Sequence, residues 1–374
     1  MKILQISSAQ SIGGGERHLT DLANGLAGRG HDVYVALRSN SPLLAELKQL
    51  PEGNVTTLPL RNSLDAMSAR HLSQLVRRKQ IQIIHAHMAR DYPLAAYAAR
   101  MNPGSRLIVT RHVLFGLNRL HRITLSKAAR IIAVSQAVAS QLQADAIAPS
   151  EKISIVLNGI DTERFQEARR SFTRSQFLDA WNLGEDCLLI GTVGELTPLK
   201  GQEDFVRAAA QVLKQIPTAY FIVAGIDHSR GKEHRSRIKQ LIAELDLAKR
   251  VRLVGWLDDL AQLYCGLDVF ISASHTESFG LVLAEAMAAG TAVVASETAG
   301  ARELIKSGET GLLVPIGDVD QLAASIVGVL TNENGRIQMG TAAQKIAAER
   351  FSIERMIDET EKIYREACSE FAIV

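Results

Sequence analysis

Two carboxylates stand eight positions apart in Glu277-Ser278-Phe279-Gly280-Leu281-Val282-Leu283-Ala284-Glu285, on either side of a glycine and just before the apolar run Ala286-Met287-Ala288-Ala289. The pattern is that of a helix start with ligand groups on it. The first amides of a helix have no partner within it and carry partial positive charge, so a phosphate docks there readily. Carboxylates cannot bind that phosphate, but they suit sugar hydroxyls, which donate hydrogen bonds to ionised oxygens. The segment thus offers a partner to each half of a nucleotide sugar.

Other groups could share this chemistry. Lys200 follows Val193-Gly194-Glu195-Leu196-Thr197-Pro198-Leu199, a strand running into a loop. In open α/β sheets ligands gather outside the carboxyl ends of strands, where Lys200 is placed to neutralise a diphosphate. Near the N-terminus, Gly13-Gly14-Gly15-Glu16-Arg17-His18 follows the first strand and opens a helical pattern. Consecutive glycines let a ligand approach the backbone, which suits a phosphate or acceptor loop. The loop is neither a Walker loop nor a dinucleotide fingerprint, because Gly-Lys-Ser/Thr and the G-x-G-x-x-G spacing are both missing. His85-Ala86-His87 puts two imidazoles on one side of a strand end, a spacing that can bind metal. No third ligand is evident from the sequence, and a packing role is expected. Basic stretches from Arg70-His71 to Arg77-Arg78-Lys79 and from Arg119 to Lys127 are expected to be solvated helix faces, with contact to anionic lipid as the alternative.

Short β-branched runs alternate with amphipathic helical stretches, the pattern of parallel sheets covered by helices on both faces. Strands are predicted at 2–7, 32–37, 54–58, 82–86, 106–111, 130–134 and 153–156, then at 187–193, 219–224, 251–254, 268–272, 291–295 and 311–314. The rhythm starts twice. A chain of 374 residues also exceeds what one core usually serves, so two α/β domains are expected. Their expected bounds are 1–165 and 166–351, with a linker over Asp161 to Glu185. A last helix from 352 towards 374, with Ile353, Met356, Ile357, Thr360, Ile363 and Tyr364 on one face, is expected to cross back to the first domain.

The net charge of +2 conceals an asymmetry: residues 1–165 hold 20 Lys/Arg against 11 Asp/Glu, and residues 166–374 hold 22 against 29. The basic half suits an anionic acceptor or membrane surface, or complements the acidic half across a domain interface. Cys187, Cys265 and Cys368 lack paired or metal-ligand spacing, which argues against a disulfide framework and a zinc site. No apolar run is long enough to span a bilayer, and the first residues go straight into a strand pattern, so a cytoplasmic protein without a nucleic-acid partner is expected, with peripheral contact to the inner face of the membrane as the alternative that the basic stretches leave open.

Taken in order and spacing, these pieces resemble the retaining family 4 glycosyltransferases of the GT-B fold. The resemblance runs through Gly14 to Glu16, Ala133-Val134-Ser135, Asn158-Gly159-Ile160-Asp161 with Phe165, Val193-Gly194 with Lys200-Gly201, Gly255-Trp256, Glu277 to Glu285 with Ala286 to Gly290, Gly300 with Glu303, and Gly311 to Val314. It implies two Rossmann-like domains facing each other across a cleft, with donor bound by the second and acceptor mainly by the first. It further implies that Glu285 holds the ribose hydroxyls and Glu277 the transferred sugar. The amides around Phe279, Gly280 and Leu281 would meet sugar or diphosphate, Lys200 the diphosphate, Gly255-Trp256 the base, and Gly15 the phosphates. His112 matches the family histidine that reaches the donor sugar. In one departure, Glu195 stands where the family often has an arginine for the diphosphate. Either Lys200 and the helix amides suffice, Arg111 or Arg17 substitutes, or Glu195 binds a hydroxyl.

The expected activity is hexosyl transfer from a UDP- or GDP-linked sugar to a glycan or lipid-linked glycan acceptor, as in lipopolysaccharide or other cell-envelope synthesis. No cofactor or metal is expected, because Lys200 and the helix start can stabilise the leaving diphosphate and no Asp-x-Asp motif of the metal-dependent sugar transferases is expected in the chain. The resemblance implies retention, with the leaving phosphate as base. The alternatives are a catalytically silent nucleotide-sugar-binding protein and a related epimerase or phosphorylase.

Overall fold

In the computed structural model, which describes residues 1–117, 119–257 and 259–369, every predicted strand forms, with ends shifted by a residue at most. In the first half these are β1 (Lys2–Ser7), β2 (Asp32–Arg38), β3 (Val55–Leu58), β4 (Ile83–Ala86), β5 (Arg106–Arg111), β6 (Arg130–Ala133) and β7 (Ile153–Ile155), with helices α1 (Gly14–Gly28), α2 (Ala66–Lys79), α3 (Tyr92–Arg100), α4 (Arg119–Leu125) and α5 (Gln136–Ala144) between them. All pairings are parallel, in the order β3-β2-β1-β4-β5-β6-β7. Central strands such as β4 are buried along their whole length, as continuous apolar runs in a parallel sheet require.

The second half opens with α6 (Thr162–Ser171) and α7 (Arg174–Ala180), followed by β8 (Leu188–Val193), α8 (Gln202–Gln215), β9 (Ala219–Ala224), α9 (Glu233–Glu244), β10 (Val251–Val254), α10 (Leu260–Gly266), β11 (Val269–Ser272), α11 (Leu281–Ala288), β12 (Ala292–Ser296), α12 (Ala299–Leu304), β13 (Leu312–Val314), α13 (Val319–Thr331) and α14 (Glu333–Arg350). Its six strands are again all parallel, in the order β10-β9-β8-β11-β12-β13. A core of Ile190, Phe205, Val212, Phe221, Ile271, Val294 and Ile326 joins sheet and helices.

The chain divides by contacts into Met1–Gly159 with the segment from Ile353 onwards, and Ile160–Ser352. The division falls at Gly159/Ile160, where the sequence placed it at 165/166. The expected linker, Asp161 to Glu185, is instead two helices packed on the second unit. Asp161 caps α6 by accepting the Arg164 amide at 3.0 Å, and Phe165 packs against Tyr264. Two of its arginines are structural: Arg169 donates to the Cys265 carbonyl at 2.8 Å, and Arg174 pairs with Asp268 at 2.7 Å.

The last helix, α15 (Ile353–Ser369), packs on the first unit as expected; the predicted continuation beyond 369 lies outside the described residues. Met356, Ile357, Ile363 and Tyr364 join the core of Leu19, Leu22 and Leu26 on α1. At the rim, Glu361 meets Arg29 at 3.1 Å, His31 at 3.1 Å and Arg365 at 2.5 Å. These partners, Arg365 foremost, hold the Glu361 carboxyl down at about 2. All three cysteines are free, and burial raises their thiols. No helix among the described residues is long and apolar enough to cross a membrane.

Candidate active site

Each sheet reverses its strand order once, between β1 and β4 in the first unit and between β8 and β11 in the second. Such a switch point leaves a crevice outside the carboxyl ends of the strands, where ligands bind in open α/β sheets. In the second unit, the loop after β8 carries Lys200 and the loop after β11 carries Glu277. The two meet: Lys200 Nζ lies 2.5 and 2.9 Å from the two Glu277 oxygens. The glutamate side chain is only 10 % exposed, so the pair is largely withdrawn from water.

Gly280 turns the chain from Glu277 into α11 with φ +99°, a conformation that side chains resist. Its carbonyl accepts the amides of Leu283 and Ala284 at 3.0 and 3.1 Å. The preceding amides, Leu281 and Val282, have no partner inside the helix. A cation, an acid and a helix start thus share one place. Glu285, further along α11, is buried and accepts a hydrogen bond from the Tyr264 hydroxyl at 2.8 Å. Phe279 is buried edge-on against Phe351, so only its backbone is left for a ligand. Glu195 is exposed, and its carbonyl accepts from Gln202 at 2.9 Å. Gly255 and Trp256 follow β10 at the edge of the sheet, two strands from β8, with Trp256 exposed.

The switch point of the first unit is built differently. Gly14 and Gly15 form the first turn of α1. His112, just after β5, lies so close to Gly15 that a Cβ there would sit 3.3 Å from the imidazole. Three further histidines surround it. The His18 and His112 ring centroids are 4.8 Å apart, those of His85 and His87 4.2 Å, and His87 Nδ1 lies 3.4 Å from His112 Nε2. Burial holds all four rings below the usual imidazole range, His18 at about 4, so each is neutral at pH 7.

A hydrogen-bond chain sets the ring orientations. His18 Nδ1 meets Asn158 Oδ1 at 2.9 Å, and His87 Nε2 meets Gln5 Oε1 at 2.7 Å. The Gln5 amide nitrogen donates to the Tyr364 hydroxyl at 3.1 Å, and that hydroxyl lies 2.6 Å from His85 Nδ1. Since Oδ1 and Oε1 only accept, the facing nitrogens of His18 and His87 carry the protons.

The two halves of the chain match two family models. Residues 12–164 match Glycosyltransferase Family 4, and residues 174–346 match Glycosyl transferases group 1. The chain belongs to the family 4 glycosyltransferases. An N-acetyl-alpha-D-glucosaminyl L-malate synthase of Bacillus anthracis is 27 % identical over 96 % of this glycosyltransferase and 95 % of its own length. A D-inositol 3-phosphate glycosyltransferase of Saccharomonospora viridis is 28 % identical over 98 % and 92 %. The structure of HepE from Anabaena in complex with UDP-glucose covers 100 % of both chains with a TM-score of 0.83 at 24 % identity, which shows the shared GT-B fold.

Among the residues singled out in the sequence, the glycosyltransferase brings Lys200, Glu277 and Gly280 together, and separately Gly15 and His112. Arg111, considered as a substitute cation, is buried and donates to the Phe115 carbonyl. Missing from the sequence reading were Tyr264 beneath Glu285, Gln5 beside His87, and the association of His18, Asn158 and Tyr364, each noted there for another reason, with that histidine. His18 was visible in the glycine loop, but nothing local said that α1 carries it to the end of β4. Against the expectation that the chain has no Asp-x-Asp motif, the triplet Asp318-Val319-Asp320 occurs, and it serves helix structure. Asp318 caps α13 through the Gln321 amide at 2.9 Å, and Asp320 accepts from Gln211 at 2.7 Å.

Proposed function

We propose that this glycosyltransferase moves a hexose from a UDP- or GDP-linked donor to an anionic acceptor, with retention and without a divalent ion or other cofactor. The observation that carries this is the Lys200–Glu277 pair beside the start of α11. Breaking the bond between the anomeric carbon and the diphosphate gathers negative charge on the leaving oxygen. A fixed ammonium and unpaired helix amides aimed at that charge lower the barrier without reorganising. Until a donor binds, Glu277 holds the Lys200 ammonium. When the diphosphate takes the ammonium, the carboxylate is released for a sugar hydroxyl. Glu285, fixed by Tyr264, accepts from the ribose, and Trp256 meets the base. With both glutamates so engaged, the leaving phosphate takes the acceptor proton on the same face. His112, with Gly15 beneath it, is the group of the first unit proposed to bind substrate.

The excess of positive charge before residue 166 favours an anionic acceptor. The names of the two relatives, which act on malate and inositol 3-phosphate, point the same way. A glycan or lipid-linked glycan bearing phosphate or carboxylate, met at the inner face of the membrane, fits this charge, and exposed Arg70, Arg77 and Arg78 on α2 are the residues that would touch such a surface.

A thermal-shift panel of UDP-, GDP- and ADP-sugars in chelator tests the donor, because a ligand of the native state raises the melting point by mass action. The expected result is a rise with a UDP- or GDP-sugar, then α-linked product from an α-linked donor by NMR, at a rate unchanged by EDTA. Inverted product, or a glycosyl adduct trapped on Glu277, would refute the mechanism.

A further inference from the structure

His87 was expected to lack the partners for a metal site. The fold supplies them. Among the described residues, His18 from α1, His87 after β4 and His112 after β5 offer ligand nitrogens that all lie within 4.8 Å of one another. We infer that these three imidazoles form a binding site for a late first-row dication such as Zn²⁺ or Co²⁺.

Geometry comes first. Tetrahedral ligands with zinc–nitrogen bonds of about 2.0–2.1 Å stand about 3.4 Å apart. His87 Nδ1 and His112 Nε2 are already 3.4 Å apart, so binding needs the third ring to close in and the His112 proton to move from Nε2, where it is shared with His87, to Nδ1.

The hydrogen bonds come second. A ligating imidazole ordinarily donates its other N–H to an acceptor, which fixes tautomer and ring orientation. His18 does so through Nδ1 to Asn158, and His87 through Nε2 to Gln5, whose amide is itself held by Tyr364. Each therefore turns a lone pair towards the cluster. His18 Nε2 is buried there with no hydrogen-bond partner among the described residues. A buried acceptor left unpaired is destabilising, and metal coordination removes that penalty.

The donor set comes third. Three neutral nitrogens suit zinc, cobalt, nickel or copper and do not suit magnesium or calcium, which demand oxygen. His85 stands apart from the trio, since its nitrogens lie 2.6 Å from the Tyr364 hydroxyl and 2.7 Å from Thr110 Oγ1. His18 and His87 are buried while His112 is partly exposed, so a metal enters from the His112 side and keeps a fourth position for solvent. Such a metal would withdraw His112 from substrate and so act as an inhibitor. The binding itself does not rest on the proposed transfer activity.

The test uses the full chain, freed of any affinity tag and stripped with chelator. Titration with Co²⁺ is expected to raise the visible absorption of four-coordinate cobalt, saturating at one ion per chain and displaced by Zn²⁺. His18→Ala and His87→Ala should weaken binding at least 100-fold, while His275→Ala, on the second unit, should leave it unchanged. Circular dichroism checks that each variant is folded. X-ray absorption of the zinc-loaded wild-type protein needs no variant, and should count three imidazoles per zinc. A cobalt spectrum without the four-coordinate band, binding that survives His18→Ala and His87→Ala together, or fewer than three imidazoles per zinc would each overturn the site. None of these measurements uses donor or acceptor, so the site and the transfer activity stand or fall separately.

Discussion

The second unit brings ionised side chains together at its switch point, a lysine and a glutamate within 2.9 Å, whereas the first brings together four imidazoles that burial keeps neutral. Both places arise from the same topology, a parallel sheet whose strand order reverses once. The fold therefore decides where a ligand can sit, and the side chains decide which ligand. A charged pair beside a helix start answers a diphosphate. Neutral lone pairs answer hydroxyls or a soft dication, with no cost for holding charge in a dry place.

The largest expected effect separates these chemistries. Lys200→Ala should lower kcat about 10²–10³-fold, the loss typical of one electrostatic donor to a leaving oxygen. His112→Ala should cost about tenfold, the worth of one neutral hydrogen bond. Initial rates with the donor found in the thermal-shift panel measure both, and equal losses would erase the distinction. Glu277→Gln sharpens it. Binding of the nucleoside diphosphate alone should persist or tighten once Lys200 is unpaired, while the sugar-bearing donor should lose affinity.

Two glycines extend the comparison from charge to backbone. Gly280→Ala places a side chain at φ +99° and is expected to cost about 1–2 kcal/mol in urea unfolding. Gly15→Ala sits in a helix, where alanine is favoured, and should leave stability nearly unchanged. Its methyl, 3.3 Å from His112, should show instead as a few-fold loss of kcat/KM. If both variants lost stability alike, Gly15 would be a backbone requirement instead of a spacer for the imidazole.

The smallest effect is a dependence on acid confined to the first unit. The folded state holds the Glu361 carboxyl at about 2, below its ordinary 4.5, because Arg365, Arg29 and His31 favour the charged form. Its pairs therefore contribute fully above pH 4.5, and the contribution is lost as the pH falls from there towards 2. Glu361→Gln should lower the melting point of the first unit at pH 7 by a few degrees and flatten this loss. Hydrogen exchange of α15 against α11 reads the two units separately.

Much of this was legible in the chain. All the strands were, because β-branched runs of four to seven residues leave a parallel sheet few alternatives. The Glu277–Glu285 segment announced its helix start, and the apolar face of α15 announced its docking. What stayed hidden was tertiary. Lys200 and Glu277 are 77 residues apart, and each had been given a separate ligand before the fold paired them. Phe279 lies inside the most telling motif, yet its ring is core. His18 and Asn158 are 140 residues apart, so no local pattern could join them. The presumed linker misled because arginines that hold carbonyls look, in sequence, like arginines in water.

The docking of α15 also bears on how the molecule is made. Residues Ile160–Ser352 emerge from the ribosome as one uninterrupted stretch and can fold as soon as they are out. The domain begun first must wait for the final helix, since Tyr364 reaches Gln5 across 359 positions. Until then the α1 face that Ile357 and Tyr364 cover stays bare. During vectorial synthesis, the first unit is completed only after the second has emerged.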